Sequence, residues 1–147
     1  MIYEFTYSAV LSRCKMLASF EGRDYTGDSG ESLFLRVKLT EQDEPLLLSY
    51  LEEAARRIEE RVARMVSASE YTEEGFTWTL RTEETRWNVN RELDRNISEA
   101  LAAYAMMQWL ADRKPARLEM YRSLWEGSAA MAEANLYRKN SPTLKTA

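Results

Sequence analysis

Apolar residues first recur at every second position. Tyr3, Phe5 and Tyr7 share one side of residues 2–7, IYEFTY, which is the period of a half-buried strand. Ser8 then offers a helix cap, and AVLSRCKMLASF predicts a first helix over about residues 9–20. Residues 21–32, EGRDYTGDSGES, hold three of the five glycines and read as an exposed loop. In LFLRVKL the alternation returns: Leu33, Leu35, Val37 and Leu39 fall on one face and Arg36 and Lys38 on the other, predicting a strand or extended segment over 33–39.

From Thr40 the period changes to three and four. Leu47, Leu51, Ala54, Ile58, Val62 and Met65 form one stripe, with Glu52, Glu53, Arg56, Glu59 and Glu60 facing away, so this is an amphipathic helix with one wet face. Asp43 is the preferred cap, because it puts Pro45 inside the first turn, where a missing N–H costs nothing. Between 69 and 90 the helical rhythm is lost. Phe76, Trp78 and Leu80 share one face of a strand, and Trp87 and Val89 are expected to pair back across RTEET as a β-hairpin. An isolated hairpin is marginal in water, so this one must lean on the helices or on another chain.

ISEALAAYAMMQWLA, residues 97–111, is apolar around nearly its whole circumference, the pattern of a central bundle helix covered on several sides by this chain or by copies of it. After the short ADRKP connection, Pro115 suits the opening of a last helix to about 139, lined by Leu118, Tyr121, Trp125, Ser128, Ala132 and Leu136. Helices 97–113 and 115–139 then form an antiparallel pair. The remainder, NSPTLKTA, has no apolar period and is expected as an extended arm reaching up to about 26 Å. The fold class is therefore mainly α: a single helical domain over 1–139, with a hairpin at about 69–90, a short N-terminal strand and a C-terminal arm at 140–147.

Composition narrows the chemistry. The 147 residues include no histidine and one cysteine, Cys14, so imidazole bases, His metal ligands and an intrachain disulfide are excluded. Cys14 lies among Val10, Leu11 and Leu17, where a buried small hydrophobe is expected. A net charge of -4 disfavours general affinity for a phosphate backbone. The acidic start MIYEFTYS is unlike a secretory signal, and no apolar run is long enough to span a bilayer, so an intracellular protein with no membrane partner is expected.

Candidate sites are few. Glu41 and Glu44 have the ExxE spacing of magnesium-dependent nucleotide hydrolases, yet Glu92, Asp94 and Glu99 supply no convincing second acidic pair, and the helix entrance explains both residues. No phosphate-cradling, dinucleotide, zinc or esterase motif occurs. No cofactor, metal or catalytic residue is assigned, and the chain is expected not to be an enzyme. The contact candidates are Phe76, Trp78, Trp87 and Val89 on the hairpin, Arg113, Lys114 and Arg117 at the last helical turn, and Pro142 and Leu144 on the arm. For the cations the competing explanation is helix-dipole and loop polarity; for the tryptophans it is core.

The order of TEQDEPLLLSYLEEAARRIEER, hairpin, ISEALAAYAMMQWLADR, short turn, helix and Pro-containing tail is similar to small head-tail connector (neck adaptor) proteins of tailed bacteriophages. The likeness covers about residues 40–147 and rests on architecture alone. It implies a non-enzymatic virion protein, assembled in the host cytoplasm. It also implies a homo-oligomeric ring, commonly of twelve copies, below the portal, touching portal and adjoining neck or tail proteins, with DNA passing through without specific binding. The N-terminal strand, first helix and Gly-rich loop depart from that pattern. A cytosolic helical-bundle adaptor that binds a protein partner is the alternative.

Overall fold

The computed structural model describes residues 2–23, 37–81 and 89–137. Among them the elements run β1 (Ile2–Thr6), α1 (Ser8–Arg23), a 3-10 turn (Glu41–Asp43), α2 (Glu44–Arg61), β2 (Val66–Tyr71), β3 (Gly75–Leu80), α3 (Val89–Leu110), a second 3-10 turn (Pro115–Arg117) and α4 (Leu118–Tyr137). The fold is mainly α with one small antiparallel sheet, as the periodicity predicts.

The sheet order is β1-β3-β2, so β3 is central. Tyr3 faces Trp78 and Phe5 faces Phe76 across the β1–β3 ladder, and the Phe5 and Phe76 rings stack with centroids 5.2 Å apart. Alternation along β1 thus places its aromatic face on that of β3, and both are buried. The chain enters α1 directly, because the Leu11 N–H donates to the Tyr7 carbonyl at 2.8 Å.

The hairpin differs from expectation. Phe76, Trp78 and Leu80 do share the buried face, but their hairpin partner is Val66–Tyr71, and Val89 opens α3 rather than continuing a strand. The amphipathic helix correspondingly stops at Arg61, and Val62 and Met65 reach the core from the turn that follows it. Asp43 does occupy the cap position of α2, with Pro45 in the first turn. Its carboxylate reaches back to accept from the Thr40 N–H and hydroxyl, each at 2.9 Å, which ties the preceding 3-10 turn to the helix entrance.

Residues 37–39 are not a strand: Val37 is helical, and residues 38–40 carry no regular structure. The alternation is still real in burial, since Val37 and Leu39 are core and Lys38 is exposed. Trp109 Nε1 holds this segment by donating to the Val37 carbonyl at 2.6 Å. Residues 33–36, the greater part of the predicted 21–32 loop, Trp87, and the arm with Pro142 and Leu144 lie outside the described residues. Residues 21–23 belong to α1.

α3 sits at the centre. Ala100 through Met106 are all buried, as are Trp109 and Leu110, because α1, α2 and α4 each pack on it. The α3–α4 pair is antiparallel: Asn135 contacts Asn96 and Glu92, while Tyr104 meets Trp125 about two to three turns further along. The Asn96 Nδ2 to Asn135 Oδ1 bond, 2.6 Å and buried, ties one register to the other.

Candidate functional site

The cations at the last turn converge on one buried group. Glu21, near the end of α1, is fully buried and accepts from Lys114 Nζ at 3.3 Å, from Arg117 Nε at 3.0 Å on both oxygens, and from the Tyr121 hydroxyl at 3.1 Å. Lys114 also donates to the Glu21 carbonyl at 2.7 Å. A carboxylate in the core needs such compensation, and the result clamps the end of α1 to the α3–α4 turn. Arg113 lies 3.6 Å over the Trp109 ring and donates to the Trp109 carbonyl at 2.8 Å, an end-of-helix role that matches dipole complementarity. All three cations therefore serve intramolecular contacts.

Phe76 and Trp78 are core residues, so their proposed place on a partner-facing surface is corrected: β1 covers one edge of β3 and β2 the other. Trp78 Nε1 donates to the Tyr71 hydroxyl at 3.2 Å, which in turn donates to Glu59 Oε1 at 2.9 Å, securing the sheet to α2. Val89 is the first residue of α3.

Among the acidic candidates, Glu44 pairs with Lys15, Glu92 accepts from Asn135, and Asp94 accepts from the Tyr3 hydroxyl at 3.0 Å. Among the described residues no group of three or more His, Cys, Asp or Glu side chains is placed to hold a metal ion. Cys14 is fully buried, and burial pushes its thiol up to about 12, against the smaller opposing pull of Arg13. The thiolate needed for nucleophilic chemistry is thus disfavoured. Among the described residues, no helix is long and apolar enough to cross a membrane.

Two kinds of surface went unseen in the sequence. Outward on α4 stand Met120, Leu124 and Met131, exposed by 38%, 50% and 48%, with Gly127 open between them. Their spacings of four and seven put them on one helix face. On α1, Met16 and Phe20, four residues apart, are exposed by 64% and 58%. Helical periodicity contained both faces, but the inward stripe dominates each helix and hides them. The second feature is a cleft of about 340 Å³ where α2 meets the β2–β3 turn, lined by Tyr7, Pro45, Leu48, Ser49, Glu52, Thr72 and Glu73. Its residues come from three separated segments and leave no sequence signal. A wider depression, about 680 Å³, lies between β1 and the start of α3 and is lined by Ile2, Tyr3, Glu4, Arg91 and Asp94.

The fold and these surfaces define a helical-bundle protein with outward apolar helix faces. Comparison with protein-family models, curated proteins and solved structures finds no match to this chain.

Proposed function

We propose that the chain is a non-enzymatic building block of a tailed-phage virion, a head-tail connector subunit that forms a ring beneath the portal. The observation that carries this reading is the outer face of α4, where Met120, Leu124 and Met131 present apolar surface that no described part of the chain covers. A repeated side-by-side contact between copies would bury it. Support also comes from the order of elements, amphipathic helix, hairpin, apolar helix and closing helix, which follows the connector pattern. The net charge of -4 suits a wall that phosphates slide past.

The test is co-expression with the portal protein from the same genome, followed by sedimentation and electron microscopy. Discrete rings are expected, together with their loss in Leu124→Glu and Met131→Glu while helicity by circular dichroism is retained. A compact monomer, alone and with portal, overturns the reading.

A second reading, a helical adaptor with one protein partner, is favoured by the completeness of the core. α3 is covered and the hairpin is supported within a single copy, so folding by itself demands no ring. A monomer that captures one regulatory protein at equal stoichiometry would establish it.

A further inference from the structure

The outward face of α4 continues onto α1. Phe20 precedes Glu21 and Met120 precedes Tyr121, the two residues whose side chains meet at 3.1 Å, and Arg117 binds both the Glu21 carboxylate and the Met120 sulfur. Arg13, Met16 and Phe20, spaced by three and four, share one exposed side of α1. Of the seven large apolar side chains left exposed among the described residues, five stand on these two helices: Met16, Phe20, Met120, Leu124 and Met131. Exposed by 38–64%, they present on the order of 500 Å² of apolar surface. A standard interface buries about 800 Å² on each partner, a little over half of it apolar, so the patch has the size that one stable contact between two proteins needs.

Gly127 stands in the middle of that face, with no atom within 4 Å of where a Cβ would be. It lies inside a regular helix, where glycine is less stable than alanine, and nothing in this copy requires it. Met120, Leu124, Gly127 and Met131 follow at intervals of four, three and four, the spacing of a heptad seam. Reversed end for end, that spacing reproduces itself. In an antiparallel pair of α4 helices about a twofold axis, Leu124 of each copy therefore faces Gly127 of the other, bulk against gap, and Met120 faces Met131. Ser123 and Ala130, exposed and small, let the axes approach closely. Charge agrees with the same arrangement. Arg13 on α1 and Glu126 beside Gly127 are both exposed, and neither is ion-paired among the described residues. An α4 helix seated against α4 of the other copy lies next to that copy's α1, which brings Glu126 of one toward Arg13 of the other.

We propose that a second copy of the chain occupies this face, in a symmetric dimer whose two α4 helices pack antiparallel through Leu124 and Gly127 while each covers the α1 face of the other copy. The seam itself carries no charge, so neither a nucleic acid nor a strongly acidic or basic peptide is drawn to it. The dimer uses the same α4 face as the proposed ring and goes beyond that reading. It forms without portal, and portal has to part the two copies before a ring can use the face.

Sedimentation equilibrium of the full chain from about 1 to about 200 μM is expected to show monomer and dimer with a dissociation constant on the order of 10 μM. Gly127→Ala separates the pair from the fold, because its Cβ meets open space in one copy and Leu124 in the dimer. Dimerisation should weaken about tenfold, while at about 0.5 μM, where the chain is monomeric, the urea midpoint rises. Arg13→Glu should weaken the dimer several-fold, and adding Glu126→Arg should restore it. A monomer at about 200 μM, assembly that continues past the dimer, dimerisation unchanged in Gly127→Ala, or no recovery in the double variant would each overturn the proposal. With portal added, rings from a chain that is monomeric alone would remove the dimer and leave the ring standing, whereas dimers that never become rings would do the reverse.

Discussion

Glu21 is the residue on which the bundle's geometry turns. It is the one fully buried acidic side chain among the described residues, and it gathers a lysine, an arginine and a tyrosine from 93 to 100 positions away. In the sequence it stands at the head of a Gly-rich polar stretch and reads as the first residue of a loop. No local rule could reveal its partners, because each of those cations also had a sufficient local explanation. Removing the carboxylate leaves two cations side by side over the α3–α4 turn, Lys114 with 14% of its side chain exposed and Arg117 with 33%. Glu21→Ala is therefore expected to lower unfolding free energy by about 3 kcal/mol, the low end for breaking a buried ion pair because Arg117 is partly solvated. Urea denaturation of the variant measures it. A loss under about 1 kcal/mol would mean that the clamp is no stronger than an exposed pair.

At the scale of elements, the closest approach in the sheet is between β1 and β3 at Gly75. A Cβ built there would lie 1.8 Å from the Phe5 carbonyl oxygen, and that oxygen is backbone, which cannot swing aside. Gly75→Ala must push β1 off β3, at an expected cost of about 1–3 kcal/mol, with faster amide exchange at Tyr3 and Phe5. Unchanged stability and protection would show that the strands are farther apart than described. The helices were legible because their burial follows their periodicity: Leu47, Leu51, Ala54 and Ile58 line α2, and Tyr121, Ser128, Ala132 and Leu136 line α4. β2 was not, for a physical reason. VSASEY is an edge strand with both faces largely in solvent, so it has no apolar alternation to betray it, and Trp87 and Val89 drew the hairpin to the wrong side of β3. Register by backbone pairing leaves little trace in side chains when neither face is buried. The covering of α3 was likewise undecidable from its own sequence, since an all-round apolar helix states how much cover it needs and not whose.

For the whole molecule, one consequence of a shared, dry core is a distinct response to alkali. Cys14 and the aromatic tyrosines are packed in the same buried cluster. Burial raises the Cys14 thiol from its ordinary 9.0 to about 12. Burial is also the largest cause of the upward displacement of Tyr3, Tyr7, Tyr71 and Tyr121 from their ordinary 10.0, with Asp94, Glu52, Glu59 and Glu21 respectively adding to it. Each group thus ionises sooner in the unfolded chain than in the folded one. Above its ordinary value the unfolded state has released a proton that the folded state still holds, so stability is intact below that value and falls as pH rises. Between pH 9 and 10 the thiol costs about 1 kcal/mol, because the unfolded group is already half ionised at 9, and the four phenols together cost a similar amount as they begin to ionise in the unfolded chain. Above 10 the phenols dominate the loss. Urea midpoints taken from pH 8 to 11 should therefore decline with a growing slope. In Cys14→Ala the loss between pH 9 and 10 should shrink by about 1 kcal/mol while the loss above 10 changes less in proportion, whatever the small cavity costs overall. A Cys14→Ala chain that loses as much stability between pH 9 and 10 as the parent would show that the thiol ionises alike in the folded and unfolded chain, against its burial in the core.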